Sequence, residues 1–493
     1  MRDLTQDLRY AIRGLARSPA FTFAAVACFA LGIGANALMF GVIDRLFLRA
    51  PPYVQDAGHV GRIHLRAFFP GEGEFITDWR TFPEYQRIRD RVTAFSAVAA
   101  YSIPVTVTLG QGVGALNAHS VLVSHTFFPL LGVRPALGRF FTKDDDGPTA
   151  APTVVLDHGF WARAFGSDTA VLGRTVRIGK RAYTVIGITP PGFTGPDLTP
   201  VDAWLPQEVA GPDLSEFFEG FSSGLNAPLQ IMGRLRPGAS FSQAQEQATI
   251  AYLNGRPSST SGGPQFNILI GPIQGARGPK LGRDAVMAEW LGGVAAIVLL
   301  IACLNVANLL FARAIRRRRE VAIRLAIGAG RGRLVRQLLV EGLLLSALGA
   351  AGAVVIVLFA SAPLQAMALP SAVAAHAADP RVLAFTLGLA ILTGVFSSLV
   401  PAMQATRPDL NVALAAGDRT KGTRFHIGSR LLAGQVTLSV VLVVAAGLFL
   451  ESLRKVDQID FGFEPDRLLA VTLDLQGLGY TRKEGNALYS QML

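Results

Sequence analysis

The sequence predicts a polytopic α-helical membrane protein of about five spans. A large α+β extracytoplasmic domain is inserted between spans 1 and 2. Three observations carry this. Half of the 493 residues are hydrophobic and the mean hydropathy is +0.38, too apolar for an ordinary soluble chain. The apolar residues gather in five runs, each long enough to cross a hydrocarbon layer of about 30 Å at roughly 1.5 Å per residue. Basic residues cluster at one set of ends of these runs, as the positive-inside rule requires.

Residues 1–19 carry Arg2, Arg9, Arg13 and Arg17, with Leu4, Leu8, Ile12 and Leu15 at helical spacing. This reads as a cytoplasmic amphipathic helix lying in the membrane interface. Pro19 permits a fresh start, and residues 20–45 form the first span. The run is too long for the apolar region of a signal peptide and no small-x-small cleavage site follows, so it reads as an uncleaved anchor.

Residues 46–285 hold no spanning run. Short β-type segments alternate with turn clusters: 105–109, 153–156, 175–178, 183–188, 230–235 and 267–270. A helix is expected over 82–101 after Pro83, and another over 242–253, opened by a Ser242-x-x-Gln245 capping pattern. About 240 residues are enough for two subdomains.

Residues 286–403 form the next unit, with spans near 286–312, 337–360 and 382–403. The hairpin 313–336 between the first two carries nine arginines, the loop 404–430 carries five basic residues, and the short loop 361–381 has only Arg381. The N-terminus and both basic loops are therefore expected in the cytoplasm of a multi-pass cell (inner) membrane protein, with 46–285 outside. A fifth span at 431–452 resembles the first, and both lead into β-type sequence. Residues 453–493 then read as the start of a second, incomplete extracytoplasmic domain. About 40 residues cannot bury a core. The expectation is that the sequence is a fragment, or that this segment is disordered or covered by a partner.

Within the hairpin, Glu320 and Arg324 are i,i+4 neighbours. Ala322, Ile323, Ala326 and Ile327 make an apolar stripe. Gly328, Gly330 and Gly332 permit a tight reversal. A stiff helical tip with an apolar stripe and a charged rim suits a groove on a partner. The coupling candidates are Arg319, Glu320, Ile323, Arg324, Ile327, Gly328 and Ala329. The competing reading is a basic loop that sets topology and binds anionic lipid, at roughly 1 kcal/mol per basic residue. Arg313, Arg316, Arg317 and Arg318 are the expected membrane-surface anchors. Glu341, just inside the next span, is a candidate partner for one of these arginines, since a charge there is costly unless paired.

Other motifs weigh against catalysis and metal binding. No G-x-x-x-x-G-K-[ST] occurs, so no phosphate cradle is visible. Residues 220–224 fit G-x-S-x-G around Ser222, but no apolar strand precedes them and no helix follows, so an exposed turn is expected. Asp144, Asp145 and Asp146 are contiguous and cannot all aim at one cation, which predicts a solvated turn. His59 and His64 are not at ligand spacing. Cys28 and Cys303 fall inside apolar runs and read as small buried hydrophobes. Gly32, Gly34, Ala35, Ala37 and Gly41 suit a close helix contact in span 1. The net charge of +11 sits beside apolar runs, which favours a membrane surface over nucleic acid.

The chain resembles the MacB-type, FtsX-like permeases of ABC transporters, and most of all their large duplicated form, often called orphan permeases. The likeness is carried by LLIACLNVANLLFARA (299–314), RREVAIRLAIGAGRGRLVRQLLVEGLLLSALG (318–349) and VPAMQATRPDLNVALAAG (400–417) in the permease core. In the inserted domain it is carried by VVLDHGFWARAFGSDTAVLGRTVRIGKRAYTVIGITPPGF (154–193) and GRLRPGASFSQAQEQA (233–248), and at the start by MRDLTQDLRYAIRGLARSPAFT (1–22). The duplicated form has a second domain and a second core, of which only a beginning is seen here. The resemblance implies an extracytoplasmic domain of two subdomains, and a homodimer or pseudo-dimer working with a separate ABC ATPase subunit. ATP and Mg would sit on that subunit, and no cofactor would be bound by this chain. An adaptor outside the membrane is a further implied partner. The implied role is mechanical transmission for export of an antimicrobial, peptide or lipoprotein. The alternative is an FtsX-like regulatory protein that activates a cell-wall hydrolase or senses peptides.

Overall fold

A computed structural model describes residues 2–110, 115–179, 181–197, 199–214, 228–254, 265–274, 277–279, 283–316, 323, 327, 330–367, 379–405, 426–457, 487–488 and 490. The described residues form two compact units. One comprises Met1–Asp44 with the helices that follow Val286, and the other is Arg45–Ala285.

In the first unit, α1 (Arg2–Ala16) leads into α2 (Pro19–Ile43), which is extended by a π-helical turn at Asp44–Leu48. Numbered across both units in chain order, α8 is Arg283–Arg316, α9 is Arg331–Met367, α10 is Pro380–Ala405 and α11 is His426–Asp457. Five segments are long and apolar enough to span a membrane: Pro19–Leu48, Ala288–Arg316, Arg331–Ala360, Pro380–Met403 and Leu432–Ser452. They coincide with the five expected runs. Phe29, Ile33, Val306, Leu310, Leu345 and Ala390 form the apolar centre of the bundle.

Small residues let these helices approach closely. A Cβ on Gly32 would lie 2.7 Å from Ala302 Cβ, one on Gly349 would collide with Phe29, and Gly394 lies against Ser346. A half-buried amide and a buried carboxylate are satisfied across helices. Asn36 donates to the Ala295 carbonyl (2.7 Å), and Arg381 Nη1 reaches the buried Asp44 (3.1 Å). None of the described side chains of α11 is buried, and its Gln435 accepts from Asn308 of α8 at 2.9 Å.

The second unit is a mixed α+β domain. Its strands are β1 (Val60–Phe69), β2 (Gly73–Thr77), β3 (Phe95–Ser102), β4 (Val105–Leu109), β5 (Leu116–Val123), β6 (Leu137–Gly138), β7 (Thr153–Leu156), β8 (Thr175–Ile178), β9 (Arg181–Ile188), β10 (Ala203–Pro206), β11 (Leu229–Leu235) and β12 (Gln265–Pro272). Its helices are α3 (Phe82–Arg91), α4 (Phe127–Leu131), α5 (His158–Phe165), α6 (Gln207–Leu214) and α7 (Phe241–Leu253). One hydrogen-bonded path joins the strands in the order β10-β7-β9-β8-β4-β5-β3-β11-β1-β12, with β2 paired to β1 and β6 to β9.

That path carries two lobes. In one, β3, β11, β1 and β12 run antiparallel under α3 and α7, around Ile63, Tyr85, Ile88, Phe95, Ile231 and Tyr252. In the other, β10 also pairs parallel with β5, so β5, β4, β8, β9, β7 and β10 close into a six-stranded ring. The alternation of strand side chains explains both faces of that ring. Leu122, Val154, Leu156, Ala203 and Leu205 fill its interior. Val121, Val123, Val155 and Trp204 point the other way, onto Phe127, Phe128 and Phe193.

Three local expectations are corrected. The helix expected over 82–101 ends at Arg91, where Val92 leaves helical geometry, and Phe95–Ser102 is a strand paired with β11. Val98 and Ala100 face the first lobe's core while Ala99 and Tyr101 face the opposite side, a period of two that the small alanines concealed. The second helix begins one residue early, at Phe241, and its cap lies two residues before the expected one. Its capping box is Ser240 with Gln243, each side chain accepting from the other's backbone N–H, at 3.2 and 3.1 Å. Only the first residue of the aspartate run, Asp144, is solvated; Asp145 and Asp146 are buried. Asp145 accepts from Arg139 (2.6 and 2.9 Å) and Thr142, and these bonds, Arg139's first, hold its carboxyl down at about 2. Asp146, also buried, accepts from the backbone N–H groups of His125 (2.8 Å) and Glu208 (3.1 Å).

Candidate functional site

The hairpin singled out in the sequence springs from the last turn of α8 and the first turns of α9, and its root is built around Arg313. The Arg313 side chain is only 12% exposed. It starts on α8 and meets three other helices. Nη1 pairs with Glu341 of α9 at 2.5 Å, and Glu341 is itself 5% exposed. Nη2 donates to the Gly14 carbonyl of α1 at 2.6 Å. The guanidinium lies 4.6 Å from the ring centroid of Phe21, in the first turn of α2. A planar fork with several donors can serve a carboxylate, a carbonyl and a ring at once, which a lysine cannot.

This geometry replaces head-group anchoring as the role of Arg313. A charge drawn this far inward must be paired, and its pairing with Glu341 answers the need that the sequence raised for Glu341. Arg316, the next anchor candidate, is exposed at the end of α8. Arg317 and Arg318 lie outside the described residues.

A second ion pair lies nearby. Arg336 of α9 donates through Nε to Asp7 of α1 at 2.8 Å, and the Asp7 side chain is 9% exposed. The buried face of α1 is therefore Asp7, Ala11 and Leu15, while Leu8 and Ile12 are 43% and 50% exposed. The apolar spacing of α1 was legible, but its docking onto the hairpin root was not. The signal for it was an acid, Asp7, set four residues before a small alanine and eight before Leu15.

Of the coupling candidates, Ile323 and Ile327 are described. They are 53% and 81% exposed, and the Ile327 N–H donates to the Ile323 carbonyl at 3.1 Å. Arg319, Glu320, Arg324, Gly328 and Ala329 lie outside the described residues, as does the G-x-S-x-G stretch at 220–224. Among the described residues, no three His, Cys, Asp or Glu side chains stand together as a metal cluster.

The inserted domain holds a buried polar cluster that sequence reasoning missed. Arg62, 4% exposed, is paired with Asp197, and its Nε donates to the Ile273 carbonyl at 3.0 Å. Burial opposes its charge, but Asp197 and the neighbouring Tyr101 and Asp78 outweigh that and raise its pKa. His64, two residues along β1, is held neutral: burial, with Arg62 and Arg80 close by, lowers its pKa to about 4. This cluster joins β1 to the turn at Asp197 and reads as an internal tie.

Comparison with known proteins agrees with this architecture. Residues 22–251 match the MacB-like periplasmic core domain, and residues 292–410 match the FtsX-like permease C-terminal domain. A pyoverdine export ATP-binding/permease protein, PvdT, of Pseudomonas savastanoi pv. phaseolicola is 28% identical over 343 residues, covering 66% of this chain and 48% of the relative. The macrolide export ATP-binding/permease protein MacB of Shewanella oneidensis is 27% identical over 328 residues, covering 64% of this chain and 46% of the relative. The chain thus spans less than half the length of these relatives. The solved periplasmic region of MacB from Actinobacillus actinomycetemcomitans superposes with a TM-score of 0.31 at 16% identity, over 44% of this chain and 92% of that one, too loosely to carry weight. The two matched domains and the five spans agree: the chain belongs to the MacB-like, FtsX-type ABC permeases, as a polytopic membrane protein with a large extracytoplasmic domain.

Proposed function

We propose that the chain is an export permease that receives mechanical work at the hairpin from a separate ABC ATPase and passes it along the spans to the extracytoplasmic domain. One observation carries this reading: Ile323 and Ile327, four residues apart and joined by a backbone hydrogen bond, present two large apolar side chains to solvent beyond a root where Arg313 is buried and paired. Exposed isoleucines at that spacing suit a groove on a partner protein. A loop that served only lipid head groups would need the arginines alone. The 493 residues contain no phosphate-binding loop, and in this reading the nucleotide sits on the partner.

The basic hairpin and N-terminus support a cytoplasmic side for the ATPase by the positive-inside rule. Action as a homodimer or pseudo-dimer, with an adaptor outside the membrane, belongs to the same reading. Cargo of the antimicrobial, peptide or lipoprotein class is in keeping with relatives named for macrolide and pyoverdine export. No observation favours the regulatory alternative.

The test is to purify the tagged full chain from its native membranes and assay vanadate-sensitive ATPase activity in the eluate. The activity should co-purify with the chain. The Glu320→Lys/Arg324→Glu variant should lose it, with membrane insertion intact. Equal activity in both preparations contradicts the coupling role.

A further inference from the structure

We propose that α1 is a brace that fixes the hairpin root, with Arg313 and Arg336 as positioning residues held by the Gly14 carbonyl and by Asp7. The brace itself is a structural claim, while its consequence for coupling rests on the function proposed above.

The root has two legs, and α1 holds both. Arg313 belongs to the last turn of α8 and donates to Gly14 (2.6 Å), whereas Arg336 belongs to the second turn of α9 and donates to Asp7 (2.8 Å). Seven residues of α1 separate the two anchors, a helical rise of about 10 Å. On α9, Arg336 and the Glu341 that pairs with Arg313 are five residues apart, a rise of about 7.5 Å in the same direction. So α1 runs alongside the root of α9, bonded to it directly at Asp7 and reaching it again at a second height through the Arg313 of α8 that Gly14 holds. One contact would leave a pivot, but two also fix the angle.

The packing agrees. Asp7, Ala11 and Leu15 recur at i, i+4 and i+8 and are the buried face, with Ala11 at 2% and Leu15 at 4% exposure. Leu15 enters the same apolar centre as Phe29, Val306, Leu310 and Leu345. The other end of α1 is tied to α2, because only Arg17 and Ser18 separate the helices. The Thr22 hydroxyl reaches back to the Leu15 carbonyl at 2.9 Å and also bonds Ser18. Phe21, under the Arg313 guanidinium, is in the first turn of α2. Displacement of either hairpin leg is therefore shared with α1 and the start of α2, and α2 is the helix that continues through Asp44–Leu48 toward the inserted domain.

The experiment uses the full chain in phosphatidylcholine/phosphatidylglycerol nanodiscs, in a Cys28→Ala/Cys303→Ala background. Spin labels go at the exposed positions Ile12→Cys and Arg331→Cys. The unmodified brace should give one narrow distance distribution. Asp7→Arg should at least double its width, Asp7→Asn should widen it less, and the swap Asp7→Arg/Arg336→Asp should narrow it again. In the ATPase assay, Asp7→Arg should keep the enzyme bound while turnover falls at least fivefold, and the swap should restore turnover. An unchanged width in Asp7→Arg, or a swap that stays as wide as the single variant, overturns the brace. If no ATPase activity co-purifies even with the unaltered chain, the coupling reading fails, and the label widths still decide the brace.

Discussion

Glu341→Leu tests the hairpin root most sharply. The substitution removes the carboxylate 2.5 Å from Arg313 and leaves a guanidinium that is 12% exposed. Breaking a buried ion pair from one side costs about 3–5 kcal/mol, because one charge stays behind. Here the remaining Gly14 carbonyl and Phe21 ring still serve the cation, at distances of 2.6 and 4.6 Å. The loss should therefore fall near the lower end, about 3 kcal/mol. Removing both charges together, in Arg313→Met/Glu341→Leu, takes away the stranded cation. What is then lost is the bond to Gly14 and the ring contact, about 2–4 kcal/mol together. The double variant should cost clearly less than the sum of the two single variants, a coupling of more than 1 kcal/mol. The assay is reversible unfolding of the full chain in mixed micelles, carried through the complete double-mutant cycle. Additive losses, or a Glu341→Leu variant within 1 kcal/mol of the parent, would refute the reasoning.

Three further outcomes are expected. Gly349→Leu should lower stability by at least 1–3 kcal/mol in the same assay, because a Cβ there already collides with Phe29 of α2, while Gly388→Ala, which faces open space, should not. Stability should also fall as the pH drops from about 6.5 toward 4. His64 titrates near 6.5 when unfolded and near 4 when folded, so the unfolded chain binds the extra proton in that window, worth roughly 3 kcal/mol at its acid end. His64→Gln should flatten that slope in pH-dependent melts, and an unchanged slope would place the titration elsewhere. Cysteine labelling should find positions 316–333 reachable from the cytoplasm and 140–200 from outside, and the reverse pattern would invert the topology.

What was legible in the sequence follows from how local its cause is. The five spans were legible because hydrocarbon thickness sets a length that composition alone can meet. Strands such as Thr153–Leu156 and Thr175–Ile178 were legible from β-branched residues bounded by turns. The helix over 82–101 was overextended because Ala97, Ala99 and Ala100 suit either period, and only the pairing with β11 makes them a strand. Closure of the six-stranded ring could not be read, since it depends on β5 and β10, more than 80 residues apart, meeting in parallel register at Ala203 and Ser120. The aspartate run was misjudged for the same reason: Asp146 is bonded by Glu208, 62 residues away. At the hairpin, sequence pointed to a partner for Glu341 but could not choose among its arginines. Burial of Arg313 at the meeting of α1, α2, α8 and α9 made the choice.

In the function proposed above, nucleotide turnover on a separate subunit moves the extracytoplasmic domain. This movement is tested most directly by spin labels at Ile250→Cys in α7 and Leu387→Cys in α10, both exposed positions, in the cysteine-free background. The distance distribution is recorded in the purified ATPase complex, nucleotide-free and then trapped with ATP and vanadate. A shift between the two states is expected, and Glu320→Lys/Arg324→Glu should abolish it. An unchanged distribution in a complex that hydrolyses ATP would contradict the proposed movement.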